Sequence, residues 1–394
     1  MSWPRVKLSD VATINPRSPR DVDESQQVTF VAMASASEDG HLLASETRIL
    51  SEAKKGFTYF NRDDVLLAKI TPCFENGKCL RPGQIPTEIG FGSTEFHVIR
   101  PDSERLDGLY LFYLIWSEQF RFLGETSMSG AAGQKRVGSD FVKGFEIPLP
   151  PLSEQKRIAA ILDKADAIRR KRQQAIQLAD DFLRAVFLRM FGDPVTNPKG
   201  WKVKSLKELT TKIGSGSTPR GGSESYQDQG ISLIRSLNIH DDDFRIKDLA
   251  FIDDEQAEKL SNVVVENGDV LLNITGASVC RCAVVPEAIL PARVNQHVCI
   301  IRPFGDVRSE YLLHLLISTP YKQKLLKMSG AGATREALTK QQVEMLEIPV
   351  PPIELQLRFE GIKAKVRKAT CLTDRFNESP FFESFSNQAF SGQL

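Results

Sequence analysis

The sequence predicts an α+β chain built by tandem duplication: a globular half, a long helix, a second similar half, a second long helix. Three observations carry this. Matching segments return about 200 residues apart in unbroken order. A stretch free of Gly and Pro, Leu152 to Phe191, follows a proline-rich entry. That entry recurs at Ile348. The boundaries fall at 1–147 for the first half, 148–192 for the first long helix, 193–347 for the second half, and 348–394 for the second helix and tail.

The repeat is read from six anchors. Trp3-Pro-Arg-Val-Lys-Leu answers to Trp201-Lys-Val-Lys-Ser-Leu, and Asp64-Val-Leu-Leu to Asp269-Val-Leu-Leu. Val98-Ile-Arg-Pro answers to Ile300-Ile-Arg-Pro, Leu109-Tyr-Leu to Glu310-Tyr-Leu, Met128-Ser-Gly to Met328-Ser-Gly, and Ile147-Pro-Leu-Pro-Pro to Ile348-Pro-Val-Pro-Pro.

Within each half the signals are mainly strands. Val65-Leu-Leu-Ala-Lys-Ile and Val270-Leu-Leu-Asn-Ile are apolar runs following turn residues. Phe96-His-Val-Ile-Arg and His297-Val-Cys-Ile-Ile-Arg are further strands ended by Pro. Gly108–Leu123 and Ser309–Lys327 read as helices, giving a mixed sheet with helices in each half. Phe191-Gly-Asp-Pro-Val-Thr-Asn-Pro-Lys-Gly links the halves. Pro380 breaks the tail, after which Phe381, Phe382, Phe385 and Phe390 mark a short amphipathic helix.

Pro148, Pro150 and Pro151 forbid helix until about Leu152. Ser153 then offers an N-cap oxygen, and Glu154 suits the dipole of the first turn. The rod that follows is roughly 60 Å long at about 1.5 Å per residue. Ile161, Ala165, Ile168, Ala175, Ala179, Phe182 and Val186 step by four and three, the seam of a coiled coil interrupted at Arg172. After Ile348, Leu355, Phe359, Ile362, Val366, Ala369, Thr373 and Phe376 repeat the step, so the expected partner is the chain's own second helix, antiparallel to the first. The bland alternative is two amphipathic helices in an ordinary core.

Composition narrows the function. Hydrophobic content of 41% and charged content of 26% are those of a globular protein. Lys+Arg 51 against Asp+Glu 50 gives a net charge of +1, so any nucleic-acid role rests on local patches or on partners. No apolar run is long enough to span a membrane, and the start, Met1-Ser-Trp-Pro-Arg, has no apolar signal core; a cytoplasmic location is expected. Six cysteines, at 73, 79, 280, 282, 299 and 371, lack metal-ligand spacing and read as reduced thiols.

No catalytic constellation stands out. The sequence has no dinucleotide or Walker loop, no nucleophile elbow, and no Asn-Pro-Pro of the kind that holds a flipped adenine. Asp102 with Glu154 and Lys156 is a faint nuclease-like echo, spaced too widely. The five histidines, 41, 97, 240, 297 and 314, are scattered, and His97 and His297 sit on strands. No metal ligands are expected.

What remains are polar, Gly-rich loops with basic residues. The first half offers Lys69, Thr71, Asn76 and Lys78, then Gln134, Lys135 and Arg136. The second offers Ser215, Ser217 and Arg220, then Asn273, Thr275 and Arg281, then Thr334 and Arg335. Gly admits phosphate to backbone N–H groups, Ser and Thr donate to phosphate oxygens, and Gln, Asn and Arg can read base edges. Two readings fit: plain turns, or a duplicated DNA-binding surface. Their occurrence at matching places in both halves favours the second.

At the repeat, the proline entry and the long helices, the chain resembles the specificity subunit of a type I restriction–modification enzyme. Ala68-Lys-Ile-Thr-Pro-Cys-Phe-Glu-Asn-Gly-Lys, Gly90-Phe-Gly-Ser-Thr-Glu-Phe-His, Gly133-Gln-Lys-Arg-Val, Pro148-Leu-Pro-Pro-Leu-Ser-Glu-Gln-Lys-Arg-Ile, Phe191-Gly-Asp-Pro and Ser386-Asn-Gln-Ala-Phe-Ser-Gly-Gln-Leu carry the resemblance. The second proline entry departs from it, with Glu354-Leu-Gln where the first has Ser153-Glu-Gln. The resemblance implies two target-recognition domains, separated by the helix pair, reading a split double-stranded DNA sequence for phage defence. It implies two modification subunits with S-adenosylmethionine docked on the helices, restriction subunits with ATP and Mg, and no cofactor or catalysis on this chain. Two rivals remain: a non-DNA adaptor with two protein-binding domains, and a self-contained restriction or methylation enzyme.

Overall fold

The structure is a computed structural model describing residues 3–19, 22–131, 133–218, 222–330, 336–374, 388 and 390–391. The chain forms two compact units. One holds the residues up to Gln173 together with those from Thr373 onward, and the other is Gln174–Leu372.

The first unit runs β1 (Arg5–Lys7), β2 (Ala12–Ile14), β3 (Gln27–Val31), β4 (Glu46–Ile49), α1 (Leu50–Ala53), β5 (Thr58–Asn61), β6 (Val65–Ala68), β7 (Cys79–Leu80), β8 (Ile89–Gly92), β9 (Phe96–Pro101), α2 (Gly108–Trp116), α3 (Glu118–Thr126), α4 (Ser139–Gly144), β10 (Glu146–Pro148) and the start of α5 (Leu152–Phe191). Strands β2-β9-β6-β7 make an antiparallel sheet. Strands β4-β3-β8-β5 make the mixed one, with β3 parallel to β8. The apolar run Val65–Ala68 is buried throughout, as its unbroken composition requires. β1 pairs with β10, placing the chain start against the proline entry.

The second unit continues from α5 through β11 (Lys202–Ser205), β12 (Thr210–Ser215), β13 (Ile231–Ile234), β14 (Ile239–His240), β15 (Asp243–Phe244), β16 (Ala250–Ile252), α6 (Asp254–Lys259), β17 (Val264–Val265), β18 (Val270–Asn273), β19 (Cys282–Val284), β20 (Ala292–Val294), β21 (Val298–Pro303), α7 (Ser309–Ile317), α8 (Thr319–Met328), α9 (Lys340–Glu344), β22 (Glu347–Val350) and α10 (Ile353–Asp374). Its sheets repeat the plan: β12-β21-β18-β19 antiparallel, β16-β13-β20-β17 mixed, and the β11–β22 ribbon.

The sequence anchors have physical reasons. Asp64 accepts two bonds of 2.7 Å from Arg100, and Asp269 accepts 2.7 and 2.9 Å bonds from Arg302. Each pair ties the Asp-Val-Leu-Leu strand to the Ile-Arg-Pro strand beside it. The Tyr110 hydroxyl donates to the Pro148 carbonyl at 2.9 Å, and the Tyr311 hydroxyl to Pro349 at 2.6 Å. These bonds fix each proline entry to the helix that carries the tyrosine.

Two expectations are corrected. Each single helix over Gly108–Leu123 and Ser309–Lys327 is in fact a pair, broken at Ser117 and Ser318. Ser117 is extended, and its hydroxyl accepts from the Phe120 N–H, starting a new helix. Ser318 is extended ahead of Pro320, which occupies the first turn of α8.

The second correction concerns the helix faces. α5 is one unbroken helix, but its buried stripe is Ile158, Ala159 and Leu162 in the first unit and Leu183, Phe187 and Phe191 in the second. Of the expected seam, Ile161, Ala165, Ala179 and Val186 are half-buried, Ala175 is exposed, and Ile168 and Phe182 are 51% and 52% exposed. Apolar residues lie on two adjacent stripes, and the globular halves take one of them. In α10, Phe359 is buried, Ile362, Val366 and Leu355 are half-buried, and Ala369 is exposed; Phe376 lies outside the described residues. Within the second unit α5 and α10 do pack antiparallel. Phe187 meets Phe359 with ring centroids 5.5 Å apart, and Asp180 accepts a 2.9 Å bond from Arg367.

Candidate nucleic-acid interface

In the first unit the loop after β6 and the loop before α4 are laced together. Thr71 N–H donates to the Lys135 carbonyl at 3.0 Å, and Val137 N–H to Lys69 at 2.9 Å. Lys69, Thr71, Lys135 and Arg136 are thereby brought together. Arg136 closes the group with 2.9 and 2.8 Å bonds to Glu95 at the foot of β9, and these bonds hold the Glu95 carboxyl below its usual range. Gln134 and Lys135 are exposed. Asn76, also exposed, reaches Glu38 at 3.1 Å, and the Lys78 N–H bonds the Cys73 carbonyl at 2.9 Å, closing the 73–78 turn.

The second unit builds the same lacing. Gly276 N–H donates to the Glu336 carbonyl at 3.0 Å, and Leu338 N–H to Ile274 at 2.8 Å. Thr275 Oγ1 lies 2.5 Å from His297 Nδ1. Gly216 N–H donates to the Asn295 carbonyl at 3.1 Å, so exposed Ser215 and Ser217 join from the end of β12. Asn273, expected among the exposed contacts, is not one of them. It is fully buried, with its Nδ2 bonded to Ser236 O at 2.9 Å and Ser278 Oγ at 3.2 Å, so it shapes its loop and cannot reach a base. Arg281 turns to the β14–β15 ribbon, 3.4 Å from His240. Arg220, Thr334 and Arg335 lie outside the described residues.

The sequence did not point to Asn15, His97 or Gln296 as parts of these surfaces. Asn15 sits at φ 53° and bonds Val98 N–H at 2.9 Å and His97 at 3.2 Å. Burial keeps His97 below its usual range, and its Nε2 lies 2.9 Å from the Val137 carbonyl, so it braces the loop. The positive-φ asparagine was the available signal. By strand register the counterpart of His297 is Glu95, not His97, since each backbone carbonyl accepts from the loop after the neighbouring strand, from Ile274 N–H and Lys69 N–H respectively, at 2.9 Å.

Other titratable groups are structural. Asp242, Glu310 and His314 have ligand atoms close enough for a cation, but Lys363 Nζ lies 2.5 Å from both carboxylates, and its ammonium supplies that charge. Glu154 pairs with Arg157 at 2.7 Å, and Asp102 caps a turn by accepting from Glu104 N–H at 3.2 Å, so the nuclease-like echo dissolves into local roles. Cys73, Cys79, Cys280, Cys282 and Cys299 are free thiols, and burial pushes Cys280 and Cys299 up to about 12.

The family model described as the type I restriction modification DNA specificity domain matches this chain twice, over residues 2–178 and 198–359. The chain belongs to this family. The DNA specificity family thus accounts for both units, each match taking in one laced loop pair. The type I restriction enzyme EcoEI specificity subunit of Escherichia coli is 41% identical over 165 residues, and the EcoAI subunit of the same organism 42% over 159. These matches cover 41% and 40% of this chain but only 27% and 26% of the relatives' length. The MjaVIII specificity subunit of Methanocaldococcus jannaschii is 24% identical over 268 residues, 64% of this chain and 61% of that one. The S subunit of the type I system from M. genitalium shares the fold at TM-score 0.57 and 14% identity, covering 98% of this chain and 96% of that one. A chain from a structure on complex assembly and conformational transition of the type I R-M system does so at 0.52 and 23%, covering 100% and 98%. Among the described residues, no helix is long and apolar enough to cross a membrane.

Proposed function

We propose that this chain is the sequence-reading subunit of a type I restriction–modification complex, each unit recognising one part of a split double-stranded DNA target. The observation that carries the reading is the laced loop pair, built twice with one backbone plan and two chemistries. Glu95 stands in the first unit where His297 stands in the second, and each takes its partner from a different loop, Arg136 before α4 and Thr275 after β18. A shared scaffold with unlike side chains is what two unlike half-sites require.

On this reading α5 sets the unread spacer. Modification subunits carrying S-adenosylmethionine dock on the helices, where Leu178 and Phe182 leave apolar surface uncovered. Restriction subunits supply ATP- and Mg-dependent work, and the chain itself is non-catalytic. The test is a binding titration on duplexes of varied sequence, with modification subunits present, beside a donor-binding assay on the chain alone. A split sequence preference and no S-adenosylmethionine binding by the chain are expected. Binding without sequence preference would favour the adaptor, and donor binding the self-contained enzyme.

A further inference from the structure

We propose that Gln296 is a base-reading residue of the second unit and that the base it selects is adenine; the assignment rests on the DNA reading above. Gln296 is exposed at the foot of β21, beside the laced loops. Its amide is held at both ends. The Thr218 hydroxyl donates to Oε1, and Nε2 lies 3.1 Å from His297 Nε2. His297 is fixed in turn, by Thr275 at 2.5 Å on Nδ1 and by the bond from its own N–H to Asn295 Oδ1 at 3.0 Å. Asn295 is buried.

A free surface glutamine loses rotamer freedom when it binds; this one has lost it on folding. An amide carries two acceptor lone pairs on oxygen and two N–H donors on nitrogen. Thr218 and His297 take one of each, so one acceptor and one donor remain side by side. Turning the amide over, with the ring in its other tautomer, leaves the same inventory. That pair complements the N6 amino group and N7 of adenine in the major groove. The residue in register in the first unit is Thr94, next to the Glu95–Arg136 ion pair, so the first unit would not read the same base at this place.

The test is selection from randomised duplex DNA with the full chain, alone and with modification subunits, as wild type, Gln296→Ala and Gln296→Glu. Wild type should fix A·T at one position of the second half-site. Gln296→Ala should lose that preference, roughly 5- to 150-fold, with the first half-site and the salt dependence of binding unchanged. Gln296→Glu should move the preference toward cytosine, whose N4 donates to a carboxylate. A split motif that Gln296→Ala leaves intact, or a uniform loss of affinity with a shallower salt slope, overturns the assignment alone. A wild type that enriches no sequence overturns the DNA reading and this assignment with it.

Discussion

Gln155 and Gln356 show how one buried amide sets where a long helix begins. Gln155 Nε2 donates to Pro150 O at 2.8 Å and Arg105 O at 2.9 Å, and its Oε1 accepts from Asp107 N–H at 2.8 Å. Gln356 does the same with Pro351, Asp306 and Arg308 at 2.9, 2.8 and 2.9 Å. Both are fully buried. Gln155→Ala should destabilise the first unit and Gln356→Ala the second, since each buried group left unpaired costs about 1–3 kcal/mol. Urea denaturation with hydrogen exchange read separately over each unit checks this; equal protection in mutant and wild type would refute it. Neither cap propensity nor the helix dipole singles out Gln155. The signal was nonetheless present, because Gln is the one residue that Ser153-Glu-Gln and Glu354-Leu-Gln share.

His314 gives a pH dependence at the same scale. Burial, then the charge of Lys363, pushes it down to about 4. Its ordinary value is about 6.5, so between those limits the unfolded chain binds the proton and the folded one does not. The contribution to stability is full above the unfolded value and is lost as pH falls toward the folded one. Wild type should therefore lose stability from about pH 6.5 to 4 more steeply than His314→Gln, as followed by thermal unfolding across that range. Parallel curves would show that His314 takes no part.

At the scale of elements, α5 shows what periodicity can and cannot decide. Its length and start were legible, because prolines end at Pro151 and no breaker follows before Gly192. Its inward face was not. Ile158, Leu162, Leu183 and Phe187 lie one stripe over from Ile161, Ile168 and Phe182, and a four–three step fits either. What chose between them was packing within the second unit, where Tyr311 of α7 and Phe359 of α10 receive Phe187. Phe187→Ala should thus cost about 3–5 kcal/mol, while Phe182→Ala should stay within about 0.5 kcal/mol in the isolated chain. Equal losses by chemical denaturation would restore the sequence-derived seam. The loops divide in the same way. Gly and Ser marked them correctly, but Asn273 faces inward and Gln296 outward, a difference of tertiary packing that residue type does not encode.

At the scale of the whole molecule the duplication was the most legible feature, because two of its anchors bond each other in each unit, Asp64 with Arg100 and Asp269 with Arg302. It extends further than the anchors. Phe191, at the end of α5, sets its ring 4.8 Å from Tyr311, and Phe390 sets its own 5.5 Å from Tyr110, so Phe390 meets the first unit's tyrosine as Phe191 meets the second's. Residues 171–178 of α5 hold no buried side chain, and the two units divide there, at Gln173 and Gln174. Seven residues inserted at that point, matched by seven in α10 between Leu372 and Thr373, where the units divide again, keep the helical phase. They lengthen the helix by about 10 Å, on the order of three base-pair steps. DNA selected by this variant should keep both parts of the target and show a longer gap between them. A changed half-site in a variant of unaltered helical content would mean that α5 shapes the reading surfaces themselves, and the ruler would have to be abandoned.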